Sequence, residues 1–221
     1  INHPVRDVRI GQTSAIHFGS QIISSLAGFV ATLYIARGLG SGTLGTFAVF
    51  VAVVIWSKAL LGGGIQEAVT KRMSEQGGGG GDLAAGIVVQ AIVFLPVVVL
   101  LSVFADRVNG FLGFKGASLL AIGLFVLLAL ATGRAALRGE QKVHVAALLR
   151  PVEQIVSSGI QLGVVFLGLL GGGVVGLIWG YIAGAAIAGI AGLTLLGTQL
   201  QRPTRENFRR VIGFTRYAWL S

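Results

Sequence analysis

Six long apolar runs separated by short polar ones decide what this chain can fold into. A helix crossing a hydrocarbon core roughly 30 Å thick needs about 20 predominantly apolar residues. Six segments of the 221-residue chain approach or exceed that length, at about 14–36, 43–65, 83–105, 117–133, 146–171 and 174–199. None shows the sustained period-two alternation of a membrane-spanning strand, so a β-barrel is set aside. The expected fold is all-α, a polytopic membrane helix bundle of six transmembrane helices. Composition agrees: hydrophobic residues make up 54% and charged residues 11% of the chain, with a mean hydropathy of +0.84. The first run is too long for the apolar stretch of a signal peptide and no A-x-A-like site follows it, so it is read as a retained span.

The charges set the expected orientation. Of the 17 lysines and arginines, thirteen fall on one side of the membrane when the N-terminus is placed in the cytoplasm, only Arg37, Arg107 and Lys115 fall on the other, and Lys58 lies within a span. Positive residues collect in cytoplasmic loops facing anionic lipid, so a cytoplasmic N-terminus is predicted, together with membrane lipids as partners. The same argument accounts for the basic character of the chain without nucleic acid, for which no soluble basic domain is present. The "GGGGGD" run, Gly77 to Asp82, is then expected to be a flexible cytoplasmic linker. It lacks the Gly-Lys-Ser/Thr ending of a phosphate loop. The chain begins at Ile1 and ends in "VIGFTRYAWLS", which reads as the opening of another apolar segment, so the sequence is expected to be a fragment.

Between the first two runs stands "ARGLGSGTLGTF", which contains a formal G-x-G-x-x-G at Gly40, Gly42 and Gly45 with Glu67 downstream. A dinucleotide site needs a short strand and a βαβ unit around such glycines, whereas here a membrane span lies on each side. The stretch is therefore read as an outer hairpin turn, with Arg37 reaching the headgroups. With no cysteine in the chain, disulfides and thiolate metal sites are excluded. The eight acids are scattered, without the D-x-D pattern of metal-dependent transferases, so neither metal nor cofactor is expected and catalysis is the weaker reading.

The first hairpin resembles that of the polysaccharide and O-antigen flippases of the multidrug/oligosaccharidyl-lipid/polysaccharide exporter superfamily. The likeness is carried by Ala36, Arg37, Leu39, Gly40, Gly45, Phe47, Ala48 and the Gly62–Gly64 run, followed by "QEAVTKRMSE"; Leu44 stands where the family usually has an aromatic residue. The resemblance implies a transporter of two similar six-helix lobes around a central cavity, moving lipid-linked oligosaccharide by alternating access. Residues 1–200 are then the N-terminal lobe, 201–212 a basic cytoplasmic interfacial linker and 213–221 the start of a seventh span, with a C-terminal lobe expected to follow. It also implies a polyprenyl-linked glycan as substrate. Alternatives are a cation-coupled small-molecule exporter of the same superfamily, a membrane-embedded transferase and a non-transporting scaffold.

Several polar residues inside the runs are candidates for a cavity. In the first, Ser14, His17, Gln21, Ser24, Gly28 and Thr32 share one helical face. Facing lipid such a face is costly, so it turns either to helix packing or to a water-filled cavity, with His17 and Gln21 as cavity candidates. Lys58 stands about 22 Å into the second span at 1.5 Å per residue. It either snorkels to the headgroups or serves as a cation for an anionic substrate. Arg134 and Arg138, spaced i, i+4, either anchor the fourth span or clasp one phosphate together. In the fifth run Arg150, Gln154, Ser157 or Ser158, and Gln161 form a second polar stripe, with Gln154 and Gln161 as substrate candidates. Glu153 and Glu67 are the candidate ion-coupling acids, with pairing to a neighbouring arginine as the simpler role for Glu153. Pro96 is expected to kink the third span, and small residues every fourth position from Gly176 to Gly192 mark a close-packing face in the sixth.

Overall fold

The computed structural model describes residues 10–75, 79–168 and 172–218, the side chains of residues 10–17, 20, 216 and 217 excepted. Among these residues the regular structure is entirely helical: α1 (Ile10–Ser74), α2 (Gly80–Val103), α3 (Ala105–Leu112), α4 (Ala117–Gly139), α5 (Val143–Leu167), α6 (Gly173–Thr194) and α7 (Arg205–Ala218).

The hairpin between the first two runs is a single break within α1. Gly40 adopts φ 83° and ψ 160°, a conformation closed to side chains with a Cβ, and the helix resumes at once. Gly42 and Gly45 are helical, so one glycine of the motif makes the turn. The direction of the two arms follows from their neighbours. On the first arm Gly28 packs beside Gln154 and Gly38 beside Val165, so this arm ascends with α5. On the second arm Gly62 lies beside Leu128, Thr70 Oγ1 donates to Ala135 O at 3.2 Å and Gly139 abuts Met73, so this arm descends with α4. α6 runs against α5, with Gly180 at Gln161, Gly184 at Ser157 and Gly192 at Leu149. The small-residue face of the sixth run is thus used for packing within the bundle.

Four helices are long and apolar enough to cross a membrane among the described residues: Gln21–Ser74, which holds both arms of α1, Gly80–Val103, Ala117–Gly139 and Gly173–Thr194. α5 has 25 residues, but Arg150, Glu153, Gln154 and Gln161 make it less apolar than its neighbours. The core forms where the second arm meets α4 and α6, around Phe50, Leu124, Leu127, Ile178 and Ile182. A second cluster joins Ala31 and Ile35 of the first arm to Val164 and Leu177. Large apolar side chains on the perimeter, such as Trp56, Leu60 and Ile92, stay exposed, as expected for a surface solvated by lipid. α2 stays helical through Pro96 as far as Val103.

At one end of the bundle, hereafter the charged end, three connections meet. Of the expected flexible linker, Gly77 and Gly78 lie outside the described residues, and Gly80, Gly81 and Asp82 form the first turn of α2. These glycines are small because something lies against them. A Cβ on Gly80 would strike the carbonyl of Gln199, and one on Gly81 would lie 2.9 Å from Asn207 Oδ1. Asp82, 1% exposed, accepts from Asn207 Nδ2 at 2.9 Å, while Arg210 reaches both Asp82 (3.7 Å) and Glu75 (2.9 Å). Glu75 also accepts two hydrogen bonds from Arg72 at 3.0 Å, and the Arg72 and Arg210 guanidiniums hold its carboxyl below the usual range. Val211 is fully buried against Ala68 and Ala85, with Phe208 and Phe214 beside it. Residues 205–218 therefore form one continuous helix fastened to the ends of α1 and α2, where the sequence suggested a linker up to residue 212 and a span beyond it.

Glu140 fastens the α4–α5 turn to the segment after α6. Its carboxylate accepts from the backbone N–H groups of Gly197 (3.0 Å) and Thr198 (2.6 Å) and pairs with Lys142 at 2.8 Å. Burial alone raises its pKa, but the hydrogen bonds from Lys142, Thr198 and Gly197 together outweigh it and hold the carboxyl at about 2 instead of 4.5. A depressed carboxylate pKa stabilises the fold fully above the unfolded value, and the contribution disappears as pH falls from about 4.5 through about 2. The melting temperature of the detergent-solubilised protein is therefore expected to fall over that window, and to fall less steeply in Glu140→Gln, which begins lower at neutral pH. Parallel pH profiles would contradict this role.

Candidate functional site

Helix register brings a group of charges together inside the bundle. Arg134 lies one turn and a half from the end of α4, at about 8 Å by helix rise, and its Nη2 donates to Glu153 Oε2 of α5 at 2.6 Å. The pair is largely shielded, with side-chain exposures of 22% and 16%. Arg134 Nε is buried without a partner. Lys58, half-buried on the descending arm of α1, stands close enough to feel the charges of Glu153, Arg134 and Arg150. Among the described residues Lys58 has no hydrogen bond or ion pair of its own. Tyr181 of α6 lies within electrostatic reach of Glu153 and Arg134 and places its ring edge-on to Phe47, with centroids 6.3 Å apart. Lys58 thus feels one carboxylate and two other cations, and that carboxylate is already engaged by Arg134.

The other candidate residues divide by position. Gln154 donates to Ser158 Oγ at 3.1 Å and packs against Gly28, so the polar faces of the first arm and of α5 meet across this contact. Gln21 is half-buried on the same arm. The side chain of His17 lies outside the described residues. Gln161, 6% exposed, donates to Leu177 O at 3.2 Å and sits under Gly180, within the α5–α6 seam. Arg138 is exposed, and its neighbour Arg134 is turned to Glu153, so the two arginines do not converge on one point. Glu67 is exposed, nine residues beyond Lys58, or about 13 Å further along the arm at 1.5 Å per residue. No group of three or more His, Cys, Asp or Glu suited to a metal occurs among the described residues. Tyr181 escaped the sequence reading because an isolated tyrosine in an apolar run carries no signal without knowledge of the facing helix.

A family model described as "Polysaccharide biosynthesis protein" matches residues 10–220. The chain belongs to that family. Two Haloferax volcanii relatives are similar along nearly all of it. "Probable flippase AglR" is 29% identical over 216 residues, covering 96% of this chain and 44% of its own length. "Probable low-salt glycan biosynthesis flippase Agl15" is 27% identical over 221 residues, with the same coverage. The chain thus spans less than half the length of these curated relatives. Among solved structures, a MOP superfamily transporter from Pyrococcus furiosus superposes with a TM-score of 0.70 at 18% identity, covering 96% of this chain and 51% of that one. A mutant MATE protein gives 0.70 at 19% identity, covering 96% and 52%. The fold is that of about half of each of these solved chains, and the chain is a multi-pass membrane protein.

Proposed function

We propose that this chain is the N-terminal lobe of a flippase that carries lipid-linked oligosaccharide across the cell membrane by alternating access, its N-terminus cytoplasmic and a C-terminal lobe completing the cavity. The observation that carries the reading is the family match over residues 10–220, joined by two relatives named as flippases. Membership of this family supports transport over catalysis. The charge group adds the chemistry. Lys58 has no anion of its own, and Arg134 and Arg150 stand near it against a single engaged carboxylate. An unmatched cation within a span is costly unless it meets water or a partner, and the pyrophosphate of a polyprenyl-linked glycan supplies that partner. Gln21 and Gln154 fit the neighbouring wall, where sugar hydroxyls take hydrogen bonds. Arg138 and Glu67 fit the charged entrance.

A second reading has one observation in its favour. Glu153 is an acid beside Lys58, as a cation-coupled exporter of small molecules requires. Its 2.6 Å bond to Arg134 leaves it less available to a proton or sodium ion than a free carboxylate. The two readings separate in liposomes containing the full-length protein. The flippase reading expects a fluorescent polyprenyl-pyrophosphate oligosaccharide to change leaflet while a cationic dye does not follow an imposed proton or sodium gradient. Gradient-driven export of the dye, with the lipid-linked glycan left in place, would reverse the choice.

A further inference from the structure

Between α2 and α6 lies a groove of about 800 Å³ with α4 as its floor. α2 and α6 do not pack on each other, so the groove is open along its length to whatever surrounds the bundle. Its lining is apolar almost throughout. From Leu83 to Leu95 on α2 it runs twelve residues, or about 18 Å at 1.5 Å per residue, against about 15 Å for one leaflet of a roughly 30 Å hydrocarbon core.

The mouth of the groove has a different character from its walls. At the charged end it is lined by Leu196, Thr198 and Leu200. Immediately beyond Leu200, Arg202 and Arg205 are exposed and, among the described residues, unpaired. Deeper in the groove Gln90, 7% exposed, donates to Leu61 O at 3.3 Å and leaves its Oε1 without a donor. The arrangement combines an apolar channel one leaflet deep, two unpaired cations two and five residues beyond its last lining residue in the chain, and one buried acceptor on its wall.

We infer that the α2–α4–α6 groove is a lipid-binding site that takes one hydrocarbon chain of an anionic membrane lipid, with the headgroup held at Arg202 and Arg205. The depth fits a chain that ends near the bilayer midplane, and cations beside the mouth favour anionic headgroups over neutral ones. None of Lys58, Arg134 and Glu153 lines the groove, so its occupant is distinct from anything held there. It does not depend on the proposed transport activity, and its test needs none.

The test uses the full-length protein in liposomes doped with phosphatidylglycerol carrying a photoactivatable diazirine in one chain, or with the matching phosphatidylcholine. Crosslinked peptides are then mapped. The expected result is label concentrated on the groove residues of α2, α4 and α6, several-fold higher with the anionic probe. Filling the groove with Gly189→Phe should lower that label several-fold, and Ala129→Leu provides a milder filling should the first variant fail to fold. The double variant Arg202→Ala, Arg205→Ala should keep the groove label and lose the preference for the anionic probe. Label spread evenly over lipid-facing positions such as Trp56 and Phe111, untouched by the filling variants, would overturn the site. Equal labelling by both probes in the unaltered protein would overturn the headgroup assignment.

Discussion

Gly184→Leu is expected to lower the thermal stability of the protein in detergent more than any other single small-residue replacement on α6. A Cβ at position 184 would lie 2.7 Å from Ser157 Cβ, 2.8 Å from Glu153 O and 2.8 Å from Ser157 N. Two of these three atoms are backbone, which cannot rotate aside, so the α5–α6 seam must open. Overpacking costs about 1–3 kcal/mol and occasionally more, and the rigidity of the neighbour places this substitution at the upper end. The effect reaches the charge group because the displaced backbone carries Glu153, whose bond to Arg134 depends on the α4–α5 spacing. Gly159→Ala is the control: nothing lies within 4 Å of its added Cβ, and replacing a mid-helix glycine gains about 0.5–1 kcal/mol. A melting temperature for Gly184→Leu matching that of the unaltered protein would contradict the packing described.

Which parts were legible in the sequence follows from how far each depends on neighbours. The apolar runs and the turn before the second run are local, and they were readable because span length and glycine conformation are properties of a few consecutive residues. Even there the motif over-specified the turn: three spaced glycines suggested a glycine-rich reversal, and Gly40 alone performs it. The "GGGGGD" run misled for the opposite reason. Glycines signal flexibility in isolation, but Gly80 and Gly81 are small so that residues 199 and 207 can approach, more than a hundred positions away in sequence. Asp82 looked like a solvated linker acid and is instead the buried partner of Asn207.

The polar stripe of α5 shows a further limit. Periodicity placed Gln154 and Gln161 on one face, but a face two turns long meets different neighbours along its length. Gln154 meets Gly28 of α1, whereas Gln161 meets Gly180 of α6. The i, i+4 pair Arg134 and Arg138 likewise shares a face by spacing, but Glu153 on α5 engages only Arg134. Interhelical register is a tertiary quantity, and no local pattern encodes it.

Lys58 tests the central claim more directly than Arg134. Removing Arg134 takes from the shielded carboxylate of Glu153 its ion-pair partner, and breaking a buried pair by deleting one partner costs about 3–5 kcal/mol. With exposures of 22% and 16% the loss here is smaller, yet it still mixes folding with function. Lys58 has no such partner, so Lys58→Leu is expected to fold as well as the unaltered protein, or better, since a lysine in a span costs about 2.5–3.5 kcal/mol. If Lys58 holds an anionic headgroup, the lost charge-assisted contact is worth about 1.5–3 kcal/mol, which at 1.4 kcal/mol per factor of ten is roughly a 10- to 100-fold loss. The deciding measurement is the rate at which full-length protein in liposomes moves a fluorescent polyprenyl-pyrophosphate oligosaccharide between leaflets, compared for the unaltered protein, Lys58→Leu and Lys58→Arg. The expected result is a loss of that size in Lys58→Leu with a melting temperature unchanged or raised, and substantial retention in Lys58→Arg. Transport by Lys58→Leu at the unaltered rate would show that Lys58 merely reaches for the headgroups, and the charge group would lose its place in the mechanism.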